Sequence, residues 1–332
     1  MLSVLLAFLG SLIYGGSDFF GGFAASRMSA IKVTAINAVA GVLLLLVASV
    51  FIGGRWSVGV LLWGGLAGLV GAASLGLLYA CLATGPMSIL APIMALVSAV
   101  VPIGVGFASG ERLSTVGYLG LMAGLLAIVL ICFVPDVRAI RPSNRSIAMA
   151  AGAGLAVGLY LVFIDRTPHD SGITPLIISF SVGGVVMGTI LLVQRIRASR
   201  MRTRRPAAVS LAVRTTGLDS AFVAELPTTF EPTRAPEPPF IAGTVPGSAS
   251  SSPWWRTSAA LAAYSGLTDA MACVLFLVAL RLGDLSVVSV LNALSPAGTI
   301  VLAAIILKER IAPVQWAGLV VALTAAAMLA LA

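Results

Sequence analysis

Long unbroken apolar runs organise this chain. Ten of them, at 2–24, 31–51, 58–83, 88–107, 116–133, 147–164, 173–193, 258–280, 286–307 and 314–331, carry hardly a charge. Each is close to the roughly 20 residues a helix needs to cross about 30 Å of hydrocarbon. A transmembrane β-barrel would show short segments of strict alternation instead. The pattern predicts an all-α integral membrane protein of ten transmembrane helices. Met1 leads straight into an apolar run, with no basic region before it and no clear small-residue cleavage site after it. The start therefore reads as the first span and not as a removable signal.

The pattern breaks between the seventh and eighth runs. Residues 195–257 open on Arg195, Arg197, Arg200, Arg202, Arg204 and Arg205, then turn rich in Pro, Ser, Thr and Glu. Pro227, Pro232, Pro236, Pro238, Pro239, Pro246 and Pro253 forbid a regular helix, and few apolar residues remain to offset ordering entropy. The reading is a disordered basic and Pro-rich insert, tolerated as a loop. A tether that holds its arginines against acidic headgroups is the functional alternative.

Composition sharpens this picture. Of 332 residues, 59% are hydrophobic and 10% charged, against about 25% charged in an ordinary soluble domain. Too few charges remain to build a polar skin, so the bilayer is the expected partner. The formal charge of +8 sits in short connections and the insert, with no basic face on a folded domain. It points to lipid headgroups and away from nucleic acid. Cys81, Cys132 and Cys273 lie in apolar runs without metal spacing, and His169 stands in a short polar connection beside Asp170. No metal site, disulfide framework or cofactor is expected.

A repeat lies beneath the runs. Glu309-Arg310 follows Glu111-Arg112 by 198 residues, and the same shift places Leu82 on Leu280, Gly85 on Gly283, Ser88 on Ser286, Ala95 on Ala293 and Gly120 on Gly318. Matches of Leu, Ala and Gly are cheap in membrane sequences. The Glu-Arg pair is not, since charge is rare here and both pairs end a span. Two units of five spans follow: residues 1–134, then, after a linker at 135–146, residues 147–194 with 258–332. Five is odd, so the second unit enters the membrane the opposite way, which makes an inverted repeat. Such repeats let one site near the midplane open to either side in turn.

Residues 79–112, YACLATGPMSILAPIMALVSAVVPIGVGFASGER, and 276–310, FLVALRLGDLSVVSVLNALSPAGTIVLAAIILKER, share a span end rich in Ala and Leu, a Gly turn, a Pro-containing span and a terminal Glu-Arg. At these residues the chain resembles the ten-helix EamA-type branch of the drug/metabolite transporter superfamily. The resemblance covers both units and omits the insert. Pro296 does not match Pro102, so the bend of the ninth span is expected elsewhere than in the fourth. The resemblance implies a multi-pass protein of the cell membrane, a secondary transporter that exports a small metabolite, amino acid or drug from a cavity between two halves. A homodimer is one assembly compatible with it.

Only Asp18 and Asp269, among 20 basic and 12 acidic residues, fall well inside a span. A carboxylate at that depth costs several kcal/mol unless it is paired, faces water or takes up a proton. Both are candidates to bind a cationic substrate group or a proton. A carboxyl satisfied by nearby hydroxyls in a helix interface is the bland alternative. Asn292, Tyr14, Tyr79, Tyr160 and Tyr264 offer hydrogen bonds at depth, although such a Tyr is more often an anchor or a helix contact. Glu111 and Glu309, with Gly85 and Gly283, read as structural marks of the repeat, each Glu able to cap a neighbouring helix. Gly64 with Gly68, Gly120 with Gly124, Gly154 with Gly158 and Gly184 with Gly188 form small-residue faces for close helix packing.

Other classes find little support. The two aspartates admit an intramembrane hydrolase, but no HExxH, no GxSxG with a histidine in reach and no GxGxxG accompanies them. No P-loop is present, and no channel selectivity signature stands out. The chain is read as a carrier and not an enzyme. Its orientation is divided: only Arg55, Arg112, Arg166 and Arg281 lie on the side of the termini, so the positive-inside rule places the insert in the cytoplasm, whereas the family resemblance places the termini there.

Overall fold

The structure, a computed structural model, describes residues 1–25, 28–82, 87–132, 143–216, 258–308 and 311–332. Within lipid every backbone N–H and C=O must find a partner inside the segment, which leaves helix as the solution for each isolated apolar run. The described residues are helical throughout, without strands: α1 (Leu2–Ala25), α2 (Ala30–Ile52), α3 (Val58–Leu82), α4 (Met87–Ala108), α5 (Thr115–Cys132), α6 (Asn144–Asp165), α7 (Thr174–Thr216), α8 (Ser258–Leu282), α9 (Leu285–Ala293), α10 (Ser295–Leu302) and α11 (Pro313–Leu331). Ten candidate spans result, with α9, α10 and a π turn at Ala303–Leu307 forming the ninth.

Two elements differ in outline from the apolar runs. First, α7 continues past its span to Thr216. The arginine-rich opening of the insert is thus helical, as residue types with long unbranched side chains allow. The seven prolines that argue against helix all lie beyond it, in 217–257, outside the described residues. Second, the ninth span breaks at Leu294. Pro296 has no N–H to give the Asn292 carbonyl, so the helix restarts with Pro at its first turn. In α4, by contrast, Pro92 and Pro102 sit inside one continuous helix.

Helix neighbours follow a rule. The first span packs on the eighth and the third on the sixth; the third packs on the seventh and the second on the eighth; the fourth packs on the sixth and the first on the ninth. The fifth with the tenth, the second with the seventh and the fourth with the ninth complete the main contacts. Exchanging each span for the one five places on turns this set of neighbours into itself. The α5 and α11 pair shows the exchange in detail. A methyl on Gly120 would meet Leu329 at 3.0 Å, and one on Gly318 would meet Ile131 at 2.8 Å. Gly318 follows Gly120, and Leu329 follows Ile131, by the same 198 residues. Gly117 faces Ala332 as well, so these two helices run antiparallel.

Most of the small-residue faces are packed. A Cβ on Gly68 would lie 2.6 Å from the Ser179 carbonyl, Gly64 lies against Pro175 and Ile178, and Gly154 and Gly158 lie against α4. Gly188 instead faces open space. Gly68→Ala is expected to lower stability in detergent by about 1–3 kcal/mol, because the clash is with backbone that cannot swing away. Gly188→Ala should leave it unchanged or slightly raised. Thermal unfolding of the two purified variants checks the pair.

The end of the bundle that carries the termini is tied by polar contacts. Glu111 accepts hydrogen bonds from the amides of Leu285, at 2.8 Å, and Ser286, at 3.1 Å, and from the Ser286 hydroxyl. It thereby caps α9 from the loop after α4, where the positive end of the helix favours an anion. Arg281 donates to the Thr167 carbonyl at 2.7 Å, to its hydroxyl and to the Pro168 carbonyl, and Arg166 donates to Ser109 at 3.1 Å. Ser3 donates to the Ala279 carbonyl at 2.9 Å, beside Gly283, where a Cβ would collide with Ser3. Burial, with the charge of Glu111 close by, holds the Asp284 carboxyl above its ordinary range. The Arg55 and Asp170 pair, 3.6 Å apart and mostly exposed, contributes little.

Candidate functional site

A polar cluster lies at depth where α1, α2, α6, α7 and α8 meet, and helical spacing assembles it. On α8, Ser265, Asp269 and Cys273 recur every four residues and so form one stripe; on α1, Tyr14 and Asp18 do the same. Two buried serines lock the stripes together. Ser17 donates to the Ser265 carbonyl and Ser265 to the Ser17 carbonyl, each at 2.9 Å. The lock sits beside Asp18 and one turn from Asp269, fixing the two aspartates relative to each other.

From that lock the contacts spread outward. Asn37 of α2 donates to the Ser265 hydroxyl at 3.1 Å and to the Asp269 carboxylate. Cys273 lies 3.8 Å from Asp269 Oδ1 as a weak donor, and the Tyr160 hydroxyl of α6 lies 3.9 Å from Cys273 Sγ. Tyr160 is also hydrogen-bonded to Ser179 of α7. Asp18 and Asp269 stand within electrostatic reach of each other, and Tyr14 within reach of both. Tyr14 meets Phe276 edge to face, ring centres 6.2 Å apart.

Asp18 is exposed although Ser17 and Phe19 on either side of it are buried, and Asp269 is half-buried. Among the described residues the ion pair is that of Arg55 and Asp170 at the termini end. The aspartate pair therefore has no cationic side chain beside it, and no group of three or more potential metal ligands occurs among the described residues.

The opposite faces of α1 and α8 are apolar. Together with α10 they enclose a cleft of about 420 Å³ lined by residues such as Leu12, Phe20, Tyr264, Met271 and Leu302. Tyr264 stacks edge to face on Phe20 there, 4.8 Å away. It is exposed and stands apart from the carboxylates. Asn292 is half-buried at the end of α9 and, among the described residues, is not joined to the cluster. Of the sequence candidates, then, Asp18, Asp269, Tyr14 and Tyr160 come together, while Tyr264 and Asn292 do not. The side chain of Tyr79, and Gly85 and Glu309, lie outside the described residues, as does the side chain of Cys81.

Residues 239–331 match the model of the EamA-like transporter family. The chain carries an EamA-like transporter segment. That matched segment holds α8 to α11, hence Asp269, Cys273 and the Ser265 lock. A solved structure titled "Crystal structure of protein" is similar in fold over 99% of this chain and 98% of its own, at a TM-score of 0.66 and 14% identity. No curated protein matches.

Asn37, Ser265 and Ser179 are not among the candidates that the sequence pattern marks, and Cys273, a packing residue by that pattern, is part of the cluster. The signal for Ser265 and Cys273 was present, since both lie four residues from Asp269. Asn37 was visible as a lone amide inside an apolar run. Ser179 had no mark that sets it apart from other span serines.

Proposed function

We propose that this protein is a secondary active carrier that exports a small metabolite, amino acid or drug by alternating access, with protons as the coupling ion. The observation that carries the reading is the carboxylate pair: Asp18 of α1 and Asp269 of α8 stand within electrostatic reach of each other, with no cationic side chain paired to them among the described residues. A pair so placed must find its countercharge in substrate or in protons. The units, 1–134 and 147–194 with 258–332, are read as inverted five-helix repeats joined by the linker 135–146. The neighbour pattern that survives a five-span exchange and the antiparallel α5 and α11 pair support that reading. The polar ties at the termini end fit a conformer closed there and accessible from the side of the insert. Export rests on the resemblance to the family. The insert, 195–257, is read as a tolerated loop, and the cell membrane as the location.

Purified protein in proteoliposomes, screened against pooled metabolites by counterflow, tests this. Saturable exchange that needs no ATP is the expected result. Ohmic conduction without exchange would make the protein a channel, and cleavage of membrane peptides would restore the hydrolase reading.

A further inference from the structure

We propose that the cluster takes a protonated amine on an apolar, preferably aromatic, body, and that such a cation and protons compete for the same two carboxylates. This rests on the carrier reading above and narrows its substrate to one charge class.

The donor and acceptor inventory selects the ligand. Asp18 accepts no hydrogen bond among the described residues, and Asp269 accepts there from Asn37 and Cys273, so the pair is rich in unused acceptor positions. An ammonium group has three donors and no acceptor, the complement of that pair. A carboxylate or phosphate ligand would add a further negative charge beside two and be repelled by both. A zwitterionic amino acid carries its carboxylate within a few ångströms of its ammonium, and no described cation is placed to receive it. The rings of Tyr14 and Phe276, together with Tyr160, border the same region and suit a cation with an apolar body.

The groups that face the pair are few. From α1 it is Tyr14, from α8 Cys273 and from α6 Tyr160; α2 supplies the amide Asn37, its one charge, Lys32, being exposed at the start of the helix. The spans formed by α7, α9 and α10 hold no titratable side chain. Balance is then simple. When one ammonium binds to a pair that holds a proton, that proton leaves to water and the charge of the site is unchanged; when the ammonium leaves, a proton returns.

Three ligands with one ring and different charge decide the matter: phenethylammonium chloride, phenylalanine and phenylacetate, added to the full-length protein in unbuffered detergent solution with a pH indicator, binding being followed by calorimetry. The expected result is that phenethylammonium binds at least about 10-fold tighter than the other two and releases protons, and that acidification weakens it. Asp18→Asn with Asp269→Asn removes the release. Equal or tighter binding of phenylacetate or phenylalanine, failure of phenethylammonium to bind, or binding without proton release overturns the proposal, and the wild-type measurement stands even where a variant fails to fold. Counterflow separates the two readings: anion exchange leaves a carrier with a different substrate, whereas amine binding and proton release without exchange leaves the site and removes the carrier.

Discussion

Asp269→Asn lowers exchange by about 100-fold while the protein folds and unfolds as the wild type does. Asparagine keeps the shape of aspartate and an oxygen that can accept from Asn37 and Cys273, so the Ser17 and Ser265 lock and the crossing of α1 with α8 are left alone. What disappears is one negative charge of the pair. A factor of 100 corresponds to about 2.7 kcal/mol, the order expected for losing one close charge interaction in a medium between protein and water. Two readouts separate this from damage: the thermal transition stays in place, and the pH dependence of exchange flattens because one of the competing proton acceptors is gone. Asp18→Asn acts in the same direction. Unchanged exchange and unchanged pH dependence in both variants would remove the aspartates from the mechanism.

The ten spans were legible because bilayer thickness and backbone satisfaction leave so little choice: an isolated run of 20 apolar residues in lipid has to be a helix. Depth was legible too, and it picked out Asp18 and Asp269 before any coordinates. Direction around the helix axis was not. Tyr264 and Asn292 also lie inside their runs, but Tyr264 turns to the apolar cleft beside Phe20 and Asn292 stands at the break before Pro296. In a span that is apolar on every side, periodicity gives no inward face to read. The i, i+4 relation among Ser265, Asp269 and Cys273 survives that loss, because it needs one trustworthy anchor and not a whole face. The break of the ninth span at Leu294 followed from Pro296, whereas Pro92 and Pro102 bend nothing apart. Proline alone therefore does not say which span is discontinuous.

Glu111→Gln loosens the termini end of the bundle. Glu111 is the one side chain there that binds two main-chain amides and a hydroxyl of another span at once, tying the loop after α4 to the first turn of α9. Glutamine retains a single acceptor oxygen and no charge, so at least one amide at the positive end of α9 loses its charge-assisted partner. The cost is about 1–3 kcal/mol, borne by the closed conformer alone if this end opens during transport. A closed and open equilibrium biased by that amount shifts by roughly 5- to 150-fold. Ser3, buried against the Ala279 carbonyl at the same end, reports the shift. With Ser3→Cys as the label site, a membrane-impermeant maleimide reacts several-fold faster in Glu111→Gln, while the chain's own Cys81, Cys132 and Cys273 give the background measured without that substitution. Should the rate at position 3 hold constant although unfolding stability falls, the cap serves only to start α9, and closure at this end resides in Arg281 and its contacts with Thr167 and Pro168. If the rate rises and exchange slows at the same time, the step limited by Glu111 is the return to the conformer that faces the insert.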